Sequence, residues 1–313
     1  MYIVDTYTTA VVLTFVTMLC WGSWANTQKI ARGYRFELFY WDYVIGILLF
    51  SILLGFTLGS NGDQGMSFSE SIRGASGKSI LNAVLGGVIF NLSNILLVAA
   101  IAIAGMSIAF PVGVGLCMVL GVIINYIATP KGNAPLLFTG VALVALAIVF
   151  DAVAYRKLTT SRSKTPVKGI VLSVLAGFLM AWFFRFVASS IASDPVNPEP
   201  GMLTPYSAFF FFVLGIVASN FVFNTILMKK PIEGEPVTFD QYFKTGVKGH
   251  LAGLLGGMIW ALGTSLSLIA AGKAGYAISF GLGQGAILIG ALWGVFIWKE
   301  FKMPLKVQTC CCF

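Results

Sequence analysis

LGGVIFNLSNILLVAAIAIAGMSIAFPVGVG, residues 85–115, recurs further along the chain as LGGMIWALGTSLSLIAAGKAGYAISFGLGQG, residues 255–285. The two align without a gap at a shift of 170 residues, with 13 identities in 31 positions. Neither stretch alternates with the period of two that a barrel strand requires. Each is a continuous apolar run, and runs of about 18 residues or more cross a bilayer as helices, since a helix satisfies its own backbone in hydrocarbon. The rest of the chain has the same character. Of 313 residues, 58% are apolar, 10% are charged and 26 are Phe, far from the usage of soluble domains.

Nine spans are read, at 7–26, 39–58, 80–103, 107–128, 135–154, 168–191, 205–228, 249–271 and 275–298. The fold class is therefore all-α and polytopic, and a β-barrel is excluded. Met1–Thr9 lacks a basic leader and the first span is long enough to cross, so no removable signal peptide is read. Five spans separate each repeated element from its copy. Five is odd, so the copies run in opposite directions across the membrane. Inverted repeats of this kind belong to secondary transporters, which hold substrate between the repeats near the midplane. The expected units are 1–154, a cytosolic linker at 155–167, and 168–313.

The repeat leaves one anomaly. Applied to the fifth span, the same shift predicts a tenth near Leu305, yet the sequence closes on VQTCCCF, 307–313, which fits no crossing helix. A truncated tenth helix is expected. Cys310 to Phe313 also has the outline of a prenylation box, though with non-aliphatic middle positions. Cys20 and Cys117 lie inside spans, so no disulfide framework is indicated.

Orientation follows from the basic residues. Fifteen Lys and Arg fall in the 27–38, 155–168 and 229–248 loops and the tail, against Arg73, Lys78, Lys131 and Lys273 on the other side. The positive-inside rule then places the N-terminus outside and the 155–168 loop in the cytosol. The net charge of +8 is a topology signal, and its spread over four short segments argues against nucleic acid as a partner.

With the ten-helix plan, CWGSWANTQK (20–29), GGVIFNLSN (86–94) and IAFPVGVG (108–115), the chain resembles the ureide permease branch of the drug/metabolite transporter superfamily over residues 1–304. The glucose/ribose and rhamnose uptake families share that architecture. The resemblance implies a secondary transporter, several of whose relatives are proton-coupled, and plant ureide permeases take up allantoin and nucleobases. Plant members carry a long cytosolic central loop where this chain has only 155–167.

Polar groups inside a bilayer cost free energy unless they find partners, so each has two readings. Asn91 and Asn94 lie midway along the third span, three apart on one face, and either join helices or meet a ligand. Their repeat partners are Ala261 and Thr264, with Trp260 in the place of Phe90. Trp21 and Trp24 share a face near the inner end of the first span. Trp21 stands about 8–12 Å above Lys29 and is either a deep anchor or a pocket wall. Pro111 is expected to kink the fourth span. Gln284 sits near the middle of the ninth and either bonds a neighbouring helix or contacts ligand. Arg185 either snorkels outward or carries a functional charge. For proton coupling the carboxylates are Glu37, Asp42 and Asp151, none placed deeply by the sequence, with His250 at a helix start on the same side.

GASGKS (74–79) recreates only the end of a phosphate-binding loop, with Ile72 where the first Gly should stand. Metal-ligand clusters and a nucleophile with a base are not found, so an enzyme is the weaker class and no cofactor or metal is expected. The reading is an integral membrane carrier of a small neutral polar solute, such as a ureide, nucleobase or sugar, by alternating access. Its other partners are the bilayer and, where coupled, a proton. The alternatives are a monosaccharide facilitator of the glucose/ribose type or a non-transporting subunit. Substrate-binding candidates are Trp21, Trp24, Asn91, Asn94, Trp260, Thr264 and Gln284; Asp42, Asp151 and Arg185 are candidates for coupling or charge. Cysteine placed at Asn61 should react with an impermeant thiol reagent on intact cells, and cysteine at Ser163 should not. The reverse pattern would defeat the assigned orientation.

Overall fold

The computed structural model describes residues 1–297 apart from 32, 63, 105, 159–166 and 233. The expectations about a tenth helix and the cysteine-rich tail fall outside the described residues, as do the side chains of Pro111 and Asp151. Among the described residues the chain is helical, with one isolated β-bridge between Ile191 and Leu203. The elements are α1 (Tyr7–Ser23), α2 (Asn26–Ile30), α3 (Phe36–Phe56), α4 (Phe68–Gly74), α5 (Gly77–Ala104), α6 (Met106–Ala128) and α7 (Ala134–Leu158). They continue as α8 (Val167–Ala188), α9 (Pro205–Lys229), α10 (Phe239–Phe243), α11 (Val247–Ala274), α12 (Tyr276–Gly283) and α13 (Ala286–Leu292), with a π-helical turn at Trp293–Ile297.

Among the described residues, six helices are long and apolar enough to cross a membrane, from the α1–α2 region, α3, α5, α8, α9 and α11. Val112–Ala128, Ala134–Leu146 and Tyr276–Gly290 are shorter apolar helices in the places of the fourth, fifth and ninth spans. The ninth departs from the sequence reading. It breaks at Gln284 and Gly285, so Gln284 caps α12 instead of lying inside a continuous helix. The first span also stops early. Asn26 donates to the Ser23 carbonyl and Thr27 to the Trp24 carbonyl, side chains competing with the helical ladder where α1 gives way to α2. Helix starts follow ordinary capping chemistry. Ser67 with Glu70, and Thr204 with Ser207 behind Pro205, form reciprocal caps that satisfy otherwise unpaired N–H groups.

Unlike a water-soluble bundle, this one is apolar on its outer face as well as in its core. Leu49, Leu53 and Phe56 of α3, Phe221, Val222 and Ile226 of α9, and Leu143, Val149 and Phe150 of α7 stand outward, while Ser, Thr, Asn and Gly concentrate inside. That distribution suits an apolar solvent. With lipid outside, helices gain little by burying Leu, and close van der Waals approach takes over. Helix α5 packs on α8 and α9, and α11 packs on α1 and α3; α3 meets α9, and α6 meets both α8 and α12.

Glycines set the closest crossings. A Cβ on Gly87 would overlap the Phe212 carbonyl oxygen, and one on Gly215 the Val84 carbonyl, locking α5 to α9. A Cβ on Gly257 would overlap the Tyr43 carbonyl and one on Gly46 the Leu254 carbonyl, locking α11 to α3. The obstructing atoms are backbone, which cannot swing aside. Gly87→Ala or Gly257→Ala should therefore cost about 1–3 kcal/mol and lower the unfolding midpoint in detergent. Gly140→Ala on α7, where a Cβ meets nothing within 4 Å, should leave the midpoint unchanged or slightly higher.

Candidate functional site

The two glycine crossings fix the ring system beside them. Phe90 stands three residues beyond Gly87 and Trp260 three beyond Gly257, and their rings stack at 4.6 Å and 30°. Phe212 and Tyr43, whose carbonyls the glycines approach, flank Trp260 at 6.2 and 6.3 Å. Trp24 in turn leans on Tyr43 at 4.8 Å. An aromatic wall thus runs from α5 through α11 to the end of α1.

Beside this wall lies a cavity of about 290 Å³. Its lining includes Trp21, Trp24, Asn94, Phe183, Trp260 and Gln284, with Asn26, Gln28 and Lys29 at one end. Five residues singled out in the sequence therefore meet around one space: Trp21, Trp24, Asn94, Trp260 and Gln284. The other two stand behind them. Thr264 gives its proton to the Trp260 carbonyl at 3.0 Å and accepts the Trp21 indole N–H at 3.0 Å. Gly263 and Gly283 press on the Trp21 ring, and Thr17 donates to the Gly263 carbonyl at 2.8 Å. Trp21 is held from three helices, α11, α12 and its own α1.

Asn91 is fully buried behind the wall, where it accepts from the Tyr40 hydroxyl at 2.8 Å and donates to Ser219 Oγ at 2.9 Å. Asn94 donates to the same Tyr40 oxygen at 3.0 Å. Its own Oδ1 has no partner among the described residues, and neither do the indole N–H groups of Trp24 and Trp260. Gln284 reaches the Cys117 sulfur at only 3.9 Å, a weak contact that leaves its amide available. The cavity thus offers hydrogen-bonding groups of both kinds on an otherwise apolar, aromatic surface, with Lys29 the one charged side chain among the described lining residues, at one end.

The coupling candidates separate. Asp42 is buried at 3% exposure, deeper than its place near a helix start implied. It accepts from the hydroxyls of Tyr34 and Tyr242, each at 2.6 Å, and lies 2.9 Å from His250 Nδ1. Burial first, and then the hydrogen bond to Asp42, push the Tyr34 and Tyr242 phenols up, so both stay protonated donors. The cluster ties α3 to the start of α11, to α10 and to the loop before α3. Spacing could not reveal it, because 208 residues separate His250 from Asp42. Tyr40 and Ser219 were missed for the same reason. Arg185 is not in this region. It lies in the last turn of α8 and lines a larger cavity of about 740 Å³ at the opposite end of the bundle, among Lys131, Asp194, Lys273 and the N-terminal residues. That cavity is bounded mostly by chain ends and loops, whereas the smaller one is lined by helices and by the buried amides Asn94 and Gln284.

Comparison with known proteins agrees with this architecture. A profile of the ureide permease family matches residues 39–165 and 155–309. Ureide permease 1 of Arabidopsis thaliana is 23% identical, covering 96% of this chain and 92% of its own length. Ureide permease 3 of the same plant is 24% identical over 88% and 89%, and probable ureide permease A3 of Vigna unguiculata is 21% identical over 99% and 100%. These relatives are named as permeases, not enzymes. With its apolar helices, buried amides and family match across most of its length, the chain belongs to the ureide permease family of integral, multi-pass membrane proteins.

Proposed function

We propose that the chain is a secondary transporter of a small neutral polar solute, a cyclic ureide or nucleobase, working by alternating access around the Trp21–Asn94–Trp260 cavity. One observation carries the reading: the cavity lies where the two interlocked glycine crossings meet. Those crossings are related by the repeat. Gly87 and Val84 stand 170 residues before Gly257 and Leu254, and Tyr43 and Gly46 stand 169 before Phe212 and Gly215. The outer helices agree. Ser173 donates to the carbonyl four residues back and its backbone faces Gly113, as Thr17 donates to Leu13 and touches Gly283. Two inverted units, 1–154 and 168–313, joined through 155–167, account for these matches. A site on the interface between such units can open to either side when one rocks against the other.

The relatives' names supply the ureide class, and the wall chemistry supports it. Stacked indole and phenyl faces with a few neutral donors and acceptors suit a planar ring, whereas a hexose needs a wider fan of hydrogen bonds. With the 27–38 loop in the cytosol, Asn26, Gln28 and Lys29 form the cytosolic rim. Purified protein should be stabilised against heat by allantoin or uracil and not by glucose or ribose. Asn94→Ala should weaken that binding by about 1–3 kcal/mol while sparing the fold. Stabilisation by a monosaccharide alone would overturn the ureide assignment.

Proton coupling, where present, is assigned to Asp42 and His250. They join α3 to α11, one helix supplying Tyr40 and the other Trp260, so a change at their contact acts on both helices that build the cavity. Uptake into proteoliposomes should rise with an imposed inward proton gradient, and Asp42→Asn should remove that dependence. Uptake indifferent to the gradient would make the protein a facilitator.

A further inference from the structure

The hydrogen bonds behind the aromatic wall run in one direction. Their origin is the backbone of α9, where the carbonyls of Gly215 and Ile216 can only accept. The Ser219 hydroxyl gives its single proton to them, at 2.7 and 3.1 Å. Ser219 Oγ can therefore only accept from Asn91, so the Asn91 amide must turn its NH₂ toward α9, at 2.9 Å to Ser219 Oγ and 3.4 Å to the Ile216 carbonyl. Asn91 Oδ1 then faces Tyr40 and takes the phenol proton at 2.8 Å. With its one proton spent, the Tyr40 oxygen accepts the Asn94 NH₂ at 3.0 Å. Every member of the chain is buried. An amide is ordinarily free to present either end, but here four links from three helices decide which way Asn94 lies.

We infer that Tyr40 is a positioning residue that makes Asn94 present its carbonyl oxygen to the cavity, so that the site selects a ring carrying an N–H donor at that point. The inference rests on the reading of the cavity as the substrate site and adds the selection rule. Trp24 and Trp260 contribute only N–H donors, so the complementary ligand carries carbonyl acceptors on its other edge. A ring with N–H beside C=O, a cyclic urea or lactam, meets both demands. A ring with the same shape but no N–H leaves Asn94 Oδ1 buried and unpaired, which is the kind of mismatch a polar site rejects most strongly.

The test compares uracil and hydantoin with their 1,3-dimethyl derivatives, which keep ring and carbonyls and lose both N–H groups. Dissociation constants are measured by thermal shift and scintillation proximity on the purified full chain. The wild-type protein should bind the N–H rings and discriminate against the dimethyl rings. In Tyr40→Phe, Asn94 loses its only fixed partner and can turn its NH₂ to the cavity. Affinity for the N–H rings should fall while the dimethyl rings gain, narrowing the discrimination by about ten-fold or more. Ser219→Ala breaks the chain at its source on a different helix, should act in the same direction more weakly, and serves where Tyr40→Phe does not fold. A merely structural role for Tyr40 would lower stability and leave the ratio alone. Unchanged discrimination in a folded Tyr40→Phe or Ser219→Ala protein overturns the selection rule and leaves the transporter reading intact. Failure of the wild-type protein to bind either N–H ring overturns the ureide reading and the rule with it.

Discussion

Everything in this protein hangs on two backbone-to-backbone crossings, α5 over α9 and α11 over α3. In water, helices associate because apolar side chains leave the solvent; in hydrocarbon that drive is absent, and contact must come from fit. Glycines at 46, 87, 215 and 257 let helix backbones approach until a single added carbon would overlap a carbonyl oxygen. One turn along, the crossings place Phe90 against Trp260. The aromatic wall is thus a consequence of how close the helices come.

The same closeness explains why so many polar groups can be buried. Ser219, Asn91, Tyr40 and Asn94 sit within one another's hydrogen-bonding reach because their helices are pressed together. An unpaired amide in such a medium costs far more than one in water, so a chain in which each group meets an opposite is strongly favoured. The chain ends at the cavity with one oxygen over. Asp42 shows the contrasting solution at the helix end, where a buried carboxylate collects two phenols and an imidazole from segments far apart in sequence.

These features give the family membership a physical content. Under the proposed function, the site must grip a solute chiefly by stacking and hydrogen bonds and still release it. Stacking faces and a few hydrogen bonds provide that, whereas a charged wall would hold counter-ions instead. The larger cavity with Arg185 has the opposite character, and its loop-built walls place it at the far end of the bundle. Arg185, a candidate for coupling or charge, lies there and not beside the aromatic site.

The sequence alone determined the solvent and the class. Long uncharged runs dictate membrane helices, and the match at a 170-residue shift is the ground on which two opposed units are proposed. The likeness of 20–29, 86–94 and 108–115 to the ureide permeases pointed to the family that the profile then matched. Periodicity also paired Asn91 with Asn94 and Trp21 with Trp24, because residues three apart share a helical face. What it could not supply was the partner on another helix. Tyr40, Ser219, Tyr34, Tyr242 and His250 carry no spacing that links them to the residues they touch, since a membrane helix has almost no polar face to betray its orientation. Gln284 shows the same limit: glycines at 281, 283 and 285 weaken the helix around it, but the apolar run by itself does not say that the helix stops there. Which groups confront each other, and which amide end faces the cavity, were settled only when the backbones crossed and brought buried donors within reach of acceptors on other helices.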